Sequence, residues 1–289
     1  MRLALGTVQF GTNYGVANAG GQVPVDEARR ILGYARDHGI DMLDTAIAYG
    51  DSESRLGSIG VARWRVVSKL PPLPEECADV ADWVRASVRG SLSRLGVSRL
   101  YALLLHRPEQ LLAAGGEALY RALQALKSEG LVKRIGISIY EPAELDAIVA
   151  RFPVDVVQAP FNILDRRLLE SGWLARLKAQ GAELHVRSVF LQGLLLMPAD
   201  QRPRKFERWQ SLWDGWHTWL AQAELTPLQA CVRYVMGFAE IDAAVVGVDS
   251  LTQLAQIVQS GDGELPALPA SLGCVDADLL NPARWSALA

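Results

Sequence analysis

"IDMLDTAIAYGDSESRLG", residues 40–57, changes character twice. Its first five residues form a short apolar run that ends on Asp44. A polar loop with Tyr49 and Gly50 follows, and residues 51–59 then carry a helical pattern. An apolar strand delivering an ionisable residue into a loop, with a helix straight after, is the repeating unit of parallel sheets covered by helices.

The same unit recurs on both sides. Upstream lie "RLALG" (2–6), a glycine-rich loop and "VDEARRILGYARDHG" (25–39). In that helix Val25, Ala28, Ile31, Leu32 and Ala35 share a face, Asp26 suits the N-terminus and Gly39 the stop. Downstream come "WRVVSKL" (64–70), closed by Pro71 and Pro72, then the amphipathic "ADWVRASVRGSLSRLG" (81–96) and "LYALLLH" (100–106). A helix to Gly130, "VKRIGIS" (132–138), a helix after Pro142 and "VDVVQAP" (154–160) continue the series. Helical residues 165–179, "AELHVRS" (182–188), helix to about residue 238, "AAVVGV" (243–248) and a helix from Ser250 complete it.

Eight strands, each followed by helix and uninterrupted by a linker, predict one (β/α)8 barrel of class α/β over residues 1–289. A doubly wound open sheet would carry Gly-x-Gly-x-x-Gly after its first strand. "GTNYGVANAGG" (11–21) has the glycines, but not that spacing and not the Lys-Ser/Thr of a phosphate loop.

Composition narrows the function. Half of the 289 residues are hydrophobic and the net charge is -3, with no cluster of Lys and Arg beyond "RPRKFER" (202–208). That balance argues against a nucleic-acid or membrane-surface partner, whose binding rests on concentrated positive charge. Cys77, Cys231 and Cys274 lack metal-ligand spacing, and an odd, scattered set suits a reducing compartment. "MRLALGTVQFG" (1–11) lacks the apolar core of a signal peptide, and no run approaches the roughly 20 residues that cross a bilayer. The expectation is a cytoplasmic protein, a monomer or small homo-oligomer.

In such a barrel the loops at the C-terminal strand ends build the site. Asp44, Lys69 and His106 end the second, third and fourth strands, and Tyr49 follows in the adjoining loop. Each alone has a plain structural role: a turn cap, a snorkelling lysine, a core histidine, a tyrosine at the mouth. Together they form a chemical set. A tyrosine hydroxyl ordinarily ionises only near pH 10, a neighbouring ammonium favours its ionised form, and a carboxylate holds that ammonium charged. A phenol tuned in this way donates a proton to a substrate oxygen. The other histidines carry less: His38 ends a helix and His185 lies within a strand. His217 belongs to "FERWQSLWDGWHTWL" (206–220), whose Trp209, Trp213 and Trp216 stripe suits core packing. Its place after the seventh strand's loop also fits a roof over the pocket.

At these residues the sequence resembles the aldo-keto reductase family. "LDTAIAYGDSE", "VVSKL" and "SLSRLGVSRLYALLLHRPE" are similar to the family's Asp-Thr-Ala-x-x-Tyr-Gly, Thr/Ser-Lys and Ser-Leu-x-Arg-Leu to Leu-His-x-Pro stretches. "LVKRIGIS" and "VVQAPFNILDR" resemble two later segments. The resemblance implies metal-free hydride transfer between a nicotinamide cofactor and a small carbonyl compound, with Asp44, Tyr49, Lys69 and His106 as catalytic tetrad. Tyr49 would be the acid, Lys69 and Asp44 would tune it, and His106 would orient the substrate oxygen. It also implies cofactor binding by Gly6 and Thr7, by Ser138 and Gln158, and by Arg187, Ser188, Phe190 and Gly193. Gly247, Asp249, Ser250 and Gln253 would hold the adenosine end.

The sequence departs from the family at Ile139, where an Asn is usual, and at Arg187, where an aromatic ring is usual. It also lacks the usual leading hairpin. The family's habit points to NADP(H), with NAD(H) the second choice. Relatives that prefer NADP(H) place Arg or Lys in the turn after the eighth strand, where this chain offers Asp249, Ser250 and Gln253, with Ile257 at a usual Asn. The competing class is a non-catalytic barrel that binds the nucleotide and regulates a partner protein. A metal-dependent hydrolase lacks its histidine clusters.

Overall fold

The computed structural model describes residues 2–18 and 20–288. Its strands are β1 (Leu3–Gly6), β2 (Met42–Asp44), β3 (Arg65–Leu70), β4 (Leu100–Leu105), β5 (Val132–Ser138), β6 (Val156–Pro160), β7 (Glu183–Arg187) and β8 (Ala243–Gly247). Each pairs in parallel with the next, and β8 pairs with β1, closing the expected barrel.

Side-chain alternation sorts each strand into two sets. Ala4, Met42, Val67, Ala102, Leu104, Val156, Ala243 and Val245 form one core inside the barrel. Leu5, Leu43, Val66, Leu103, Ile135, Val157, Leu184 and Val246 belong to the larger core shared with the helices. The inward set, continued one step further, reaches the C-terminal rim at Gly6, Asp44, Lys69, Ser138, Gln158, Arg187 and Gly247. The register agrees, placing Gly6 opposite both Asp44 and Gly247, and Ser138 opposite Gln158.

The opposite end is plugged by polar residues. The Tyr101 hydroxyl donates to Glu183 Oε1 at 2.7 Å and Arg134 Nε donates to the same oxygen at 3.0 Å. Glu183 is partly buried, which opposes its ionisation, yet bonds from His185, Tyr101 and Arg134 pull its carboxyl down to about 2. His185, expected to be structural, is fully buried in β7 with its Nε2 3.4 Å from Glu183 Oε2. His38 also keeps its modest role, capping the first long helix (Val25–Asp37) with Nδ1 2.9 Å from the Tyr34 carbonyl.

Two expectations are revised. Residues 165–179 are two helices, Arg167–Glu170 and Trp173–Ala179, because Gly172 between them takes a left-handed φ of 74°. The tryptophan stripe does not roof the pocket: Trp213 and Trp216 are fully buried, and neither they nor Trp209 line it. Instead the stripe receives the chain after the last barrel helix. Trp209 Nε1 donates to Asp276 Oδ2 at 3.0 Å, Trp219 Nε1 donates to the Ala267 carbonyl at 3.1 Å, and Trp285 packs on Phe206.

Candidate active site

The loop that carries Tyr49 is shaped by buried polar groups. Ser52 Oγ donates to the Thr7 carbonyl at 2.9 Å and lies 3.2 Å from Thr45 Oγ1. Glu53, 2% exposed, accepts from Ser68 Oγ at 2.7 Å, Ser91 Oγ at 2.6 Å and Arg94 Nε at 2.9 Å. The helix Ser52–Ile59 is thus fixed to β3 and to the helix Val80–Leu95. The turn leading into it, closed by Tyr49 N–H to the Ala46 carbonyl at 3.1 Å, stands over the barrel mouth.

The four residues of the expected tetrad meet there. Asp44 and Lys69 are 5% and 1% exposed, and Lys69 Nζ donates to Asp44 Oδ1 at 2.6 Å and to the Thr45 carbonyl at 3.0 Å. Nζ also sits 5.1 Å from the centre of the Tyr49 ring. Burial opposes the charge on Lys69, but the Asp44 carboxylate and Tyr49 outweigh it, and the ammonium loses its proton less readily than an ordinary lysine. His106 meets the Tyr49 ring at its edge, with centroids 5.9 Å apart. Desolvation, helped by Lys69 and Arg187, lowers the imidazole to about 4. It is neutral at pH 7, able to donate from one nitrogen and accept at the other. The set therefore offers a phenol, a charged ammonium locked by a carboxylate, and a neutral imidazole around one point of the rim.

That point opens into a cavity of about 670 Å³. From the tetrad it runs past Ser138, Gln158 and Arg187 to an arm bounded by Asp249, Gln253, Gln256 and Ile257. Of the expected cofactor residues, Gly6, Thr7, Ser138, Gln158, Arg187, Ser188, Phe190, Gly193, Gly247, Asp249 and Gln253 line it. Ser250 lies outside the lining, where its Oγ accepts the Gln253 N–H at 3.3 Å and caps the helix Leu251–Gln259. Thr7 turns its hydroxyl to the Asp44 carbonyl at 3.0 Å. Gln158 is engaged twice, donating to Asp44 Oδ2 at 2.7 Å and accepting from Ser138 Oγ at 3.4 Å.

Arg187 faces the cavity, and among the described residues its guanidinium hydrogen-bonds to no carboxylate. One of its nitrogens donates to the Ile139 carbonyl at 2.9 Å, another lies 3.3 Å from Ser188 Oγ, and the guanidinium stands 4.6 Å from the Tyr140 ring centre.

Several lining residues carry no sequence signal of their own: Gln9 from the four-residue helix Val8–Gly11, Tyr14 and Asn18 from the glycine-rich segment, and Tyr140, Gln192 and Gln201 from other connections. The Gln192 amide donates to the Tyr14 hydroxyl at 3.0 Å, so two loops meet across the cavity. Ser188, Leu191 and Gln192 take positive φ in one of them. At the arm's entrance Gln9 Oε1 is buried without a partner. Gly247 faces it so closely that a Cβ would lie 2.4 Å from Gln9 Nε2. A glycine making room for a buried, unsatisfied amide oxygen suits a ligand that brings a donor there. The residues present therefore fit an elongated polar cofactor.

Comparison with known proteins agrees with the fold. The model of the Aldo/keto reductase family matches residues 2–268. D-threo-aldose 1-dehydrogenase from a Pseudomonas species is 30% identical over 298 aligned residues, 88% of this chain and 90% of that protein. A 6-dehydroglucose reductase from Novosphingobium aromaticivorans is 32% identical over 145 residues, 44% of this chain and 46% of that one. A solved structure of a putative aldo-keto reductase from Pseudomonas aeruginosa superposes with a TM-score of 0.67 at 27% identity, covering 90% of this chain and 89% of that chain.

Proposed function

The chain belongs to the aldo/keto reductase family, and from that premise we propose that it reduces an aldehyde or ketone, of sugar-derived type, to the alcohol with Tyr49 as general acid. The observation that carries this reading is the convergence of Tyr49, His106 and the 2.6 Å Lys69–Asp44 pair at one end of a long cavity.

A nicotinamide dinucleotide, NADP(H) or NAD(H), bound along the cavity supplies the hydride. Gly6, Thr7, Gln9, Ser138, Gln158, Arg187 and Gly247 are the residues that would hold its reacting half. The protein's own part is proton and charge management. Tyr49 Oη gives its proton to the carbonyl oxygen as that oxygen gains charge, and neutral His106 donates a hydrogen bond that orients the same oxygen. Lys69, kept charged by Asp44, stabilises the phenolate left behind. A proton donor of this kind is worth about 10²–10⁴ in rate.

Hydroxyl and amide groups of Tyr14, Tyr140, Gln192 and Gln201 surround the mouth, which suits a polyhydroxylated carbonyl compound. The names of the two relatives above, an aldose dehydrogenase and a dehydroglucose reductase, point the same way. The test is loss of reduced-cofactor absorbance with a panel of aldoses, keto-sugars and small aldehydes. Turnover on carbonyl-bearing sugars is expected. A protein that binds the dinucleotide but consumes none with any carbonyl compound would instead be the regulatory barrel.

A further inference from the structure

The cavity's formal charges are unevenly placed. Asp44, Lys69, Arg187 and Asp249 line it. Asp44 and Lys69 cancel one another at 2.6 Å. Arg187, at the end of β7, remains as the cation of the reacting half, and Asp249 as the anion of the arm. No Lys or Arg lines the arm, whose other walls include Gln253, Gln256 and Ile257. An extended dinucleotide with its nicotinamide beside Tyr49 would reach this arm with its adenosine half.

The arm is lined by Gln253, Gln256 and Ile257 of the helix Leu251–Gln259, whose free N–H groups and dipole would ordinarily favour an anion. Here the chain supplies that anion itself. The Leu251 N–H donates to Glu27 Oε1 at 2.7 Å, while the other oxygen of Glu27 is held 2.7 Å from an Arg30 nitrogen. Asp249 stands on the near side of the same turn. It is half-buried, its Oδ1 accepts from Asn18 Nδ2 at 3.1 Å, and its backbone N–H is fixed to Gln253 Oε1 at 2.7 Å. A phosphate entering here meets the Asp249 carboxylate and no lysine or arginine of the lining, and it finds the Leu251 N–H already taken by Glu27. A ribose with free hydroxyls meets a carboxylate ready to accept from them, the arrangement by which an acidic residue selects an unphosphorylated ribose.

We propose that this arm selects the dinucleotide whose adenosine ribose carries no phosphate, NAD(H), with Asp249 accepting from the ribose hydroxyls and Glu27 closing the helix start to a 2'-phosphate. The proposal rests on the reading that a nicotinamide dinucleotide occupies this cavity. It assigns Glu27, a residue of the helix after β1, a part in specificity that its place in the sequence does not announce.

Fluorescence titration with NADH and with NADPH, on the wild type and on Asp249→Asn and Glu27→Gln, tests it. Wild type binds NADH at least about tenfold more tightly than NADPH, the order expected for one charge-assisted hydrogen bond gained or opposed. Asp249→Asn weakens NADH severalfold and strengthens NADPH. Glu27→Gln strengthens NADPH and leaves NADH within about twofold, since only one of the two carries the phosphate. Wild type that binds NADPH as tightly as NADH overturns the proposal, and so do variants that move both cofactors equally. Binding of neither cofactor by folded wild type overturns the functional reading beneath it, which keeps the two failures apart. Thermal melts of the variants confirm folding, and Asp249→Arg is the complementary gain: NADPH tightened at least about tenfold, NADH weakened severalfold as in Asp249→Asn.

Discussion

The rings of Tyr49 and His106 meet edge to face, their centroids 5.9 Å apart and their planes at 78°. An edge contact leaves both the Tyr49 hydroxyl and the imidazole free to address one oxygen atom, while packing against each other limits their movement. The two groups act on the same atom and differ in what they contribute.

Tyr49→Phe keeps that ring contact and deletes the proton. Turnover is expected to fall by about 10²–10⁴-fold, with cofactor affinity within a few-fold of wild type. Single-turnover measurement of the hydride step is the check. A loss below tenfold there removes Tyr49 from the role of acid.

The Lys69–Asp44 pair is buried, with side chains 1% and 7% exposed. Removing one member leaves the other charge without its partner, at a cost of about 3–5 kcal/mol. Asp44→Asn is therefore expected to lower the melting temperature far more than Tyr49→Phe. The double variant Asp44→Asn/Lys69→Met should recover part of the loss, because no ammonium is then stranded. Calorimetry of wild type, Asp44→Asn, Lys69→Met and the double variant settles it, and strictly additive losses would mean that the two side chains do not interact.

His106 titrates at about 4 in the folded protein, below its ordinary 6.5. Between those values the unfolded chain binds a proton that the folded one refuses, so this histidine's share of stability is full above pH 6.5 and disappears as the pH falls towards 4. His106→Gln keeps a polar side chain without the titration. Its melting temperature should fall less than that of wild type between pH 7 and pH 4.5. The same shift predicts no limb near pH 6.5 in kcat/KM of the wild type. Such a limb, absent in His106→Gln, would show the imidazole to be charged more easily than its surroundings imply.

Arg187 carries a positive charge into the reacting half of the cavity, where the one carboxylate, Asp44, is taken by Lys69. Oxidised nicotinamide is cationic and the reduced ring is neutral, so Arg187 opposes the oxidised form selectively. Arg187→Gln should narrow the gap between NADH and NAD⁺ affinity by roughly fivefold, the scale of one solvent-screened charge a few ångströms away. Arg187→Tyr should narrow it as well and should also alter the fluorescence quenching of bound NADH. A ratio unchanged in both variants places the guanidinium away from the ring.

How much of this was legible beforehand follows from what each residue does. Parallel strands buried on both faces show as apolar runs ended by glycine, proline or a polar residue, and all eight were readable within two residues of their ends. Asp44, Lys69 and His106 were readable because each ends such a run. Ser52 and Glu53 were not, since a serine and a glutamate opening a helix look like ordinary surface residues. Only the fold shows them buried beneath the Tyr49 turn. Tyr14 and Asn18 come from a loop with no period to mark them, and Gln9 from a helix of only four residues. Glu27 meets Leu251 only because β8 closes against β1, joining residues 224 apart in the chain. The tryptophans showed that they would be buried, not against what, because their partner is the irregular segment after residue 260.

The hydrogen bond from Gln192 to Tyr14 joins two loops that line the cavity, and a crossing of this kind would impose an order of events on a ligand lying beneath it. A long molecule cannot slide endwise past a closed crossing; the two loops must part, receive it sideways and close again. One exposed hydrogen bond is worth only about 0.5–1.5 kcal/mol, so the crossing yields readily when nothing lies beneath it. Below the tip, Leu191, Leu194 and Leu195 are fully buried and the Trp216 indole holds the Leu195 carbonyl at 3.3 Å, so the hinge is stiff and only the tip gives. A dinucleotide beneath the crossing adds its own contacts to both loops and lengthens its own stay. The cofactor thus becomes the long-term occupant, while carbonyl compounds visit and leave through the mouth above Tyr49.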